Sequence, residues 1–232
     1  MSTLLPPLPF ATTVTARAAR PALQYLAIEG PIGAGKTALA TRLAERWSMQ
    51  TLLGSRADNP FLEHFYRDTS RHALAAQLSV ALQREYLSRQ VAAHRAAGTP
   101  LVTNFLAERN DLFARLTLSE EELPLFQALA ARLRVEAPPP DLVVYLQASP
   151  EALYARIQKR AVAAEQHISD TFLRALCDSY NEFFYHYDRA PVLTVGVENL
   201  NPLDSDADLA LIAERIETMR GRKESFVKGT SL

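Results

Sequence analysis

The chain has 232 residues, 25 Lys and Arg against 26 Asp and Glu, and a formal net charge of −1. That length holds one substantial α/β domain with a single core, and the balanced charge carries neither the basic excess of a nucleic-acid binder nor an acidic tail. The single cysteine excludes an internal disulfide, the five histidines lack metal-ligand spacing, and no apolar run approaches the roughly 20 residues of a membrane-spanning helix.

Residues 1–22 mix Pro, Thr, Ala and Arg without periodicity and read as a flexible arm. The prolines at 6, 7 and 9 interrupt its apolar residues, so no secretory leader is expected and the cytoplasm is the expected compartment. A single domain is expected over residues 23–219. Tyr25-Leu26-Ala27-Ile28 is a short buried strand that runs straight into a glycine-rich loop. Leu39, Leu43 and Trp47 then share a helix face. A weaker strand is expected near 50–53. A long helical pattern runs from Arg71 to Ala97, with Leu74, Leu78, Leu82, Leu87 and Val91 at near-helical spacing and Gly98 as its stop. Leu101-Val102 is a short strand, and Ser119 with Glu121 and Glu122 opens another helix that must end before Pro138-Pro139-Pro140. Asp141 to Leu146 is the clearest strand in the chain. Ser149-Pro150 starts a helix, with proline at its first position. A further helix passes through Phe172, Leu176, Tyr180 and Phe184, and its apolar face makes Cys177 a packed core thiol. Pro191 to Val195 is the last strand, Ala207 to Met219 the last helix, and 220–232 a flexible, basic tail. Five strands alternating with helices, near 24–29, 50–53, 100–103, 141–146 and 191–196, imply a parallel sheet with helices on both faces.

Gly30 to Thr37 reads G-x-x-x-x-G-K-T between an apolar strand and an amphipathic helix. Gly30, Gly33 and Gly35, with Ala34, let main-chain N–H groups turn inward around phosphates, and the helix that follows presents its positive end to the same charge. Lys36 reaches the outer phosphates and the Thr37 hydroxyl suits magnesium. The pattern therefore predicts a site for ATP, or a closely related nucleotide, with Mg2+. The guanine signature N-K-x-D is absent.

Beyond this loop the sequence resembles the bacterial deoxynucleoside kinases. The resemblance spans roughly residues 24–200. It rests on Ile28-Glu29-Gly30-Pro31-Ile32-Gly33-Ala34-Gly35-Lys36-Thr37, on Asn59-Pro60-Phe61-Leu62-Glu63-His64-Phe65-Tyr66, and on Gln77 with Arg84. Asp141 to Leu146, Arg156-Ile157 with Arg160, and Glu165 complete it. It implies a three-layer P-loop kinase fold with a five-stranded parallel sheet, a homodimer formed through two long helices, and transfer of the ATP γ-phosphoryl group to a deoxynucleoside 5′-hydroxyl. Carried over, it gives Tyr66 and Glu165 the sugar 3′-hydroxyl, Gln77 the base edge with Arg84 behind it, and Arg156 and Arg160 a lid, near 156–168, over the phosphates.

The sequence departs from that family where transfer chemistry is done. Gly54 stands where the family has the glutamate that activates the 5′-hydroxyl, Asn104-Phe105 where it has an acid commonly followed by arginine, and Ala161 and Val162 where it has a lid glycine and a second lid arginine. Asp58, Glu63 and Glu108 are the acids available to stand in. Three readings follow: a deoxynucleoside kinase, a nucleotide-binding relative acting through a protein partner or as a sensor with little transfer, and a kinase for another small acceptor. Tyr66, Gln77 and Glu165 favour a nucleoside over the last.

Overall fold

The computed structural model describes residues 23–55, 58–107 and 110–229; the expected arm at 1–22 lies outside them. β1 (Tyr25–Glu29) is buried at every position, as a central parallel strand covered on both faces must be. Its side chains alternate between two cores. Tyr25 and Ala27 join Leu101, Val143, Leu176 and Tyr180 on one face of the sheet, while Leu26 and Ile28 join Leu39, Leu43, Trp47 and Ile212 on the other. Period-two alternation against helices on both sides makes the three layers.

Around β1 the chain places α1 (Lys36–Trp47), β2 (Gln50–Leu52), α2 (Leu62–Arg67), α3 (Thr69–Ala96), β3 (Leu101–Thr103), α4 (Asn110–Thr117), α5 (Glu122–Leu133) and β4 (Leu142–Gln147). Then follow α6 (Pro150–Arg160), a 3-10 turn (Ala163–His167), α7 (Asp170–His186), β5 (Val192–Gly196), α8 (Asp206–Thr218) and β6 (Lys223–Val227). The sheet order is β2-β3-β1-β4-β5-β6, and every pairing is parallel. Winding reverses at β1, so the crevice beyond its carboxyl end is where an open α/β sheet takes ligands.

Helix starts follow local chemistry. Ser149, Ser169 and Ser205 each accept a main-chain N–H as N-caps of α6, α7 and α8, and Ser119 and Glu122 exchange reciprocal bonds of 3.2 and 3.1 Å ahead of α5. Gly98, at φ 64°, closes the end of α3. Cys177 is buried, with Sγ 3.8 Å from the Ala148 carbonyl.

Two expectations are corrected. The sheet has six strands, because residues 223–227, expected within a flexible tail, pair with β5 from Val192↔Lys223 to Gly196↔Val227. The cause is nonlocal: Lys228 Nζ meets Asp208 Oδ1 of α8 at 2.6 Å, and Arg215 lies over the Phe226 ring. The short basic segment showed no strand signal beyond alternation. The apolar face of α3 is also divided. Leu87 and Val91 enter the main core, and Leu74 and Leu78 pack against a small cluster of Ala81, Ala114 and Phe126, but Leu82 is 57% exposed. The buried face of α3 instead holds Ala73, Ala76, Gln77, Arg84 and Ser88.

Candidate functional site

The loop after β1 is a cradle lined by main chain. Gly30 has φ 153°, and a Cβ there would sit 2.6 Å from the Leu146 carbonyl oxygen of β4, so only glycine fits. Gly33 and Gly35 also lie at positive φ, 85° and 96°. α1 then begins at Gly35 with no side-chain cap and no acid in its first turn. The serine caps of α6, α7 and α8 spend such donors internally; α1 keeps its own facing the cradle, where an anion would satisfy them. Lys36 Nζ bends back over the loop to the carbonyls of Gly30 and Pro31, at 2.7 and 2.9 Å.

Beneath the cradle lie two polar anchors to which the sequence assigned no structural part. Glu29 is fully buried, and its carboxylate accepts from Gly30 N and Leu106 N, both at 2.9 Å, and from the Tyr180 hydroxyl at 3.1 Å. It ties the first glycine of the loop to the turn after β3 and to α7. The signal for it was a charged residue closing an apolar strand. Asn104, also buried, donates from Nδ2 to Thr37 Oγ1 at 2.9 Å and to Gly54 O at 3.1 Å, and accepts from Gly54 N at 2.8 Å. Of the residues singled out as departures, Asn104 thus bonds Thr37 directly, and Gly54 is joined to Thr37 through it.

The expected acceptor residues lie on α2, α3 and the 3-10 turn. Tyr66, on α2, is buried against Phe65 and Phe172, with ring centroids 5.1 and 6.4 Å away. The 3-10 turn that carries Glu165 packs on α2, and Arg67 Nε reaches His167 Nε2 at 3.4 Å, so the two expected sugar contacts come from adjoining elements. Glu165 is itself buried and ion-paired with Arg160. Gln77 is 5% exposed and donates to Thr117 Oγ1 of α4 at 3.3 Å. Asn59 holds α3 beside it by donating to the Ala76 carbonyl at 3.1 Å, which gives the N-P-F-L string a structural part. Arg84 is buried with its guanidinium 4.5 Å above the Phe105 ring. It also lines a cavity of about 260 Å3 with Glu85, Asp111, Gln127 and Arg134.

The two α6 arginines diverge. Arg160 turns to Glu165, whereas Arg156 donates to the Val197 carbonyl after β5. Burial lowers the pKa of Arg156, against the opposing pull of Glu198. α6 ends at Ala161 in a left-handed conformation, φ 53°, with Ala161 N–H bonded back to Ile157 O and Gln158 O at 3.2 Å each. Of the acids that could replace a base, Glu63 is ion-paired with Arg67 and Asp58 accepts from Gln83; both contacts are on the surface. Glu108 lies outside the described residues.

A family model described as deoxynucleoside kinase matches residues 26–219. The chain belongs to the deoxynucleoside kinase family. Among its relatives, a deoxyguanosine kinase of Bacillus subtilis is 28% identical over 200 residues, covering 84% of this chain and 97% of that protein. A deoxyadenosine kinase of Dictyostelium discoideum is 28% identical over 207 residues, covering 84% and 80%. The fold is similar to that of a deoxyadenosine kinase from M. mycoides with bound dATP, at TM-score 0.71 and 21% identity, over 84% of this chain and 100% of that one. The floor of the cradle bears a buried amide at Asn104 and no side chain at Gly54. Among the described residues no helix is long and apolar enough to cross a membrane.

Proposed function

We propose that this protein transfers the γ-phosphoryl group of ATP to the 5′-hydroxyl of a deoxynucleoside. The observation that carries the reading is the uncapped start of α1 beneath a loop whose glycines sit at positive φ, with Lys36 folded over it. In such a cradle main-chain N–H groups hold the phosphates, and Lys36 exchanges its two carbonyl partners for phosphate oxygens. Thr37, an exposed residue, carries a hard oxygen that fits Mg2+, an ion that keeps most of its waters and takes few protein ligands. When bound, the ion would neutralise charge on the phosphates.

The acceptor assignments follow the same reading. Tyr66 and Glu165 bind the sugar hydroxyl, and Gln77 offers donor and acceptor together to a base edge. Arg160, released from Glu165, and Arg156 close over the transferring group, where charge spreads in the transition state. In the reaction the 5′-oxygen bonds to the γ-phosphorus, the bond to the bridging oxygen breaks, ADP leaves, and the hydroxyl proton passes to solvent. Gly54 supplies no base. Transfer of this type depends mainly on positioning and charge, so the lack of a base slows it without abolishing it. We further propose a homodimeric, cytoplasmic protein, in keeping with the family.

A second reading, a nucleotide-binding protein with little transfer, is favoured by Gly54, Asn104 and Val162. A coupled assay of ADP production with each deoxynucleoside in turn separates the two. Turnover with at least one deoxynucleoside, lost on its omission, is the expected result. Tight ATP binding with no acceptor-dependent ADP would support the second reading and overturn the first.

A further inference from the structure

We propose that Asn104 is a positioning residue that joins the end of β2 to the metal-facing hydroxyl of the phosphate loop, as one clasp over Gly54 and Thr37. It rests on reading the loop as a nucleotide site, and not on the identity of the acceptor. The amide spends both N–H bonds and one oxygen lone pair on two segments distant in sequence, with partners at 2.8–3.1 Å. Each bond requires its own polarity. Gly54 N–H needs an acceptor, and Gly54 C=O needs a donor. Thr37 Oγ1, receiving a donor, turns its own hydrogen away from Asn104, so that this hydrogen and the second lone pair face the cradle. The lone pair suits a divalent cation and the hydrogen a phosphate oxygen.

An aspartate at 104 has the same shape and different bonding. It still accepts from Gly54 N–H, but its second oxygen faces the Gly54 carbonyl, acceptor against acceptor. Thr37 would then turn its O–H toward the carboxylate and keep both lone pairs for the metal. The amide is therefore matched to the main chain of residue 54 as much as to the loop. With Asn104 buried, no water replaces its bonds at low cost.

The test uses the full chain and two readouts. ATP affinity is measured by calorimetry with excess MgCl2 and again with EDTA, and amide exchange of the segment around Gly54 is followed by mass spectrometry without nucleotide. Asn104→Ala should lose about tenfold or more of the Mg2+-dependent gain in ATP affinity, the range seen when partners of a metal ligand are removed. Its affinity in EDTA should hold, and exchange at Gly54 should quicken. Asn104→Asp should keep the Mg2+ gain and exchange faster than wild type but slower than Asn104→Ala, because its second oxygen repels the Gly54 carbonyl and loosens the segment while the first still accepts from Gly54 N–H. In a Thr37→Ala background, Asn104→Ala should cause no further loss of the Mg2+ gain. The proposal is overturned if Asn104→Ala melts as wild type with an unchanged Mg2+ gain, if its loss persists undiminished without the Thr37 hydroxyl, or if the isosteric Asn104→Asp leaves exchange at Gly54 unaltered. Failure of the wild type to bind ATP in either condition would instead count against the nucleotide reading, and the exchange arm, which needs no nucleotide, tells the two failures apart.

Discussion

The phosphate cradle and the wall of residues expected to take the acceptor are made differently. The cradle is eight consecutive residues whose shape comes from positive-φ glycines and the start of α1. The wall is gathered from β2, α2, α3, β3 and the 3-10 turn, and is held by bonds between residues such as Gly54 and Asn104, 50 positions apart, or Asn104 and Thr37, 67 apart. Local construction fixes each conformation through its own backbone. Assembled construction makes each contact depend on several elements staying in place. Substitutions in the cradle should therefore act directly on phosphate binding, and those in the wall on acceptor use.

The largest expected effect is in the cradle. Lys36→Ala removes the cation that lies over Gly30 and Pro31, and the phosphoryl-transfer rate should fall about a hundredfold to a thousandfold, as when a preorganised charge donor is lost. Steady-state kinetics with saturating acceptor would check it; a loss of only a few-fold would mean that the loop does not depend on its own lysine.

Gly54→Glu would sharpen the contrast by writing a base into the wall. A Cβ at 54 meets Leu87 Cδ1, the end of a flexible side chain, at 3.3 Å, and Asn104 Oδ1 at 3.7 Å, so the site admits a side chain after a small shift. The rate should rise by up to about a hundredfold, the contribution of a positioned general base. An Asn104→Asp change added to it is not a simple gain, since it exchanges the clasp on Gly54 for charge near the metal. No change in single-turnover rate for Gly54→Glu, with ATP and nucleoside both shown to bind, would place the defect in geometry.

The smallest effect is expected at Gln77. Its amide is buried and bonded to Thr117, so Gln77→Ala should weaken deoxynucleoside affinity about tenfold, near the worth of one or two neutral hydrogen bonds. ATP affinity should stay the same. Equal losses for both ligands in parallel titrations would show a general loosening of α3 in place of a base contact.

By itself the sequence determined the parts that are short-range: β1 as a buried run, the phosphate loop, the helix starts at Ser119 and Ser149, Gly98 as a stop, and Cys177 as a packed thiol. In each case neighbouring residues carry the whole physical cause, whether backbone freedom, a cap or a helical face. Only the tertiary structure decided the rest. It made residues 223–227 a sixth strand, because the partners that order them, β5, Asp208 and Arg215, lie elsewhere in the chain. It left Leu82 outside and buried Gln77 and Arg84 in its stead, because α3 meets the Thr117 hydroxyl and the Phe105 ring there, which take a polar and a cationic side chain. It also turned Asn104 from a missing acid into a donor shared by Thr37 and Gly54. Those hydrogen bonds depend on the ends of β2 and β3 meeting the start of α1, and sequence spacing carries no record of that meeting.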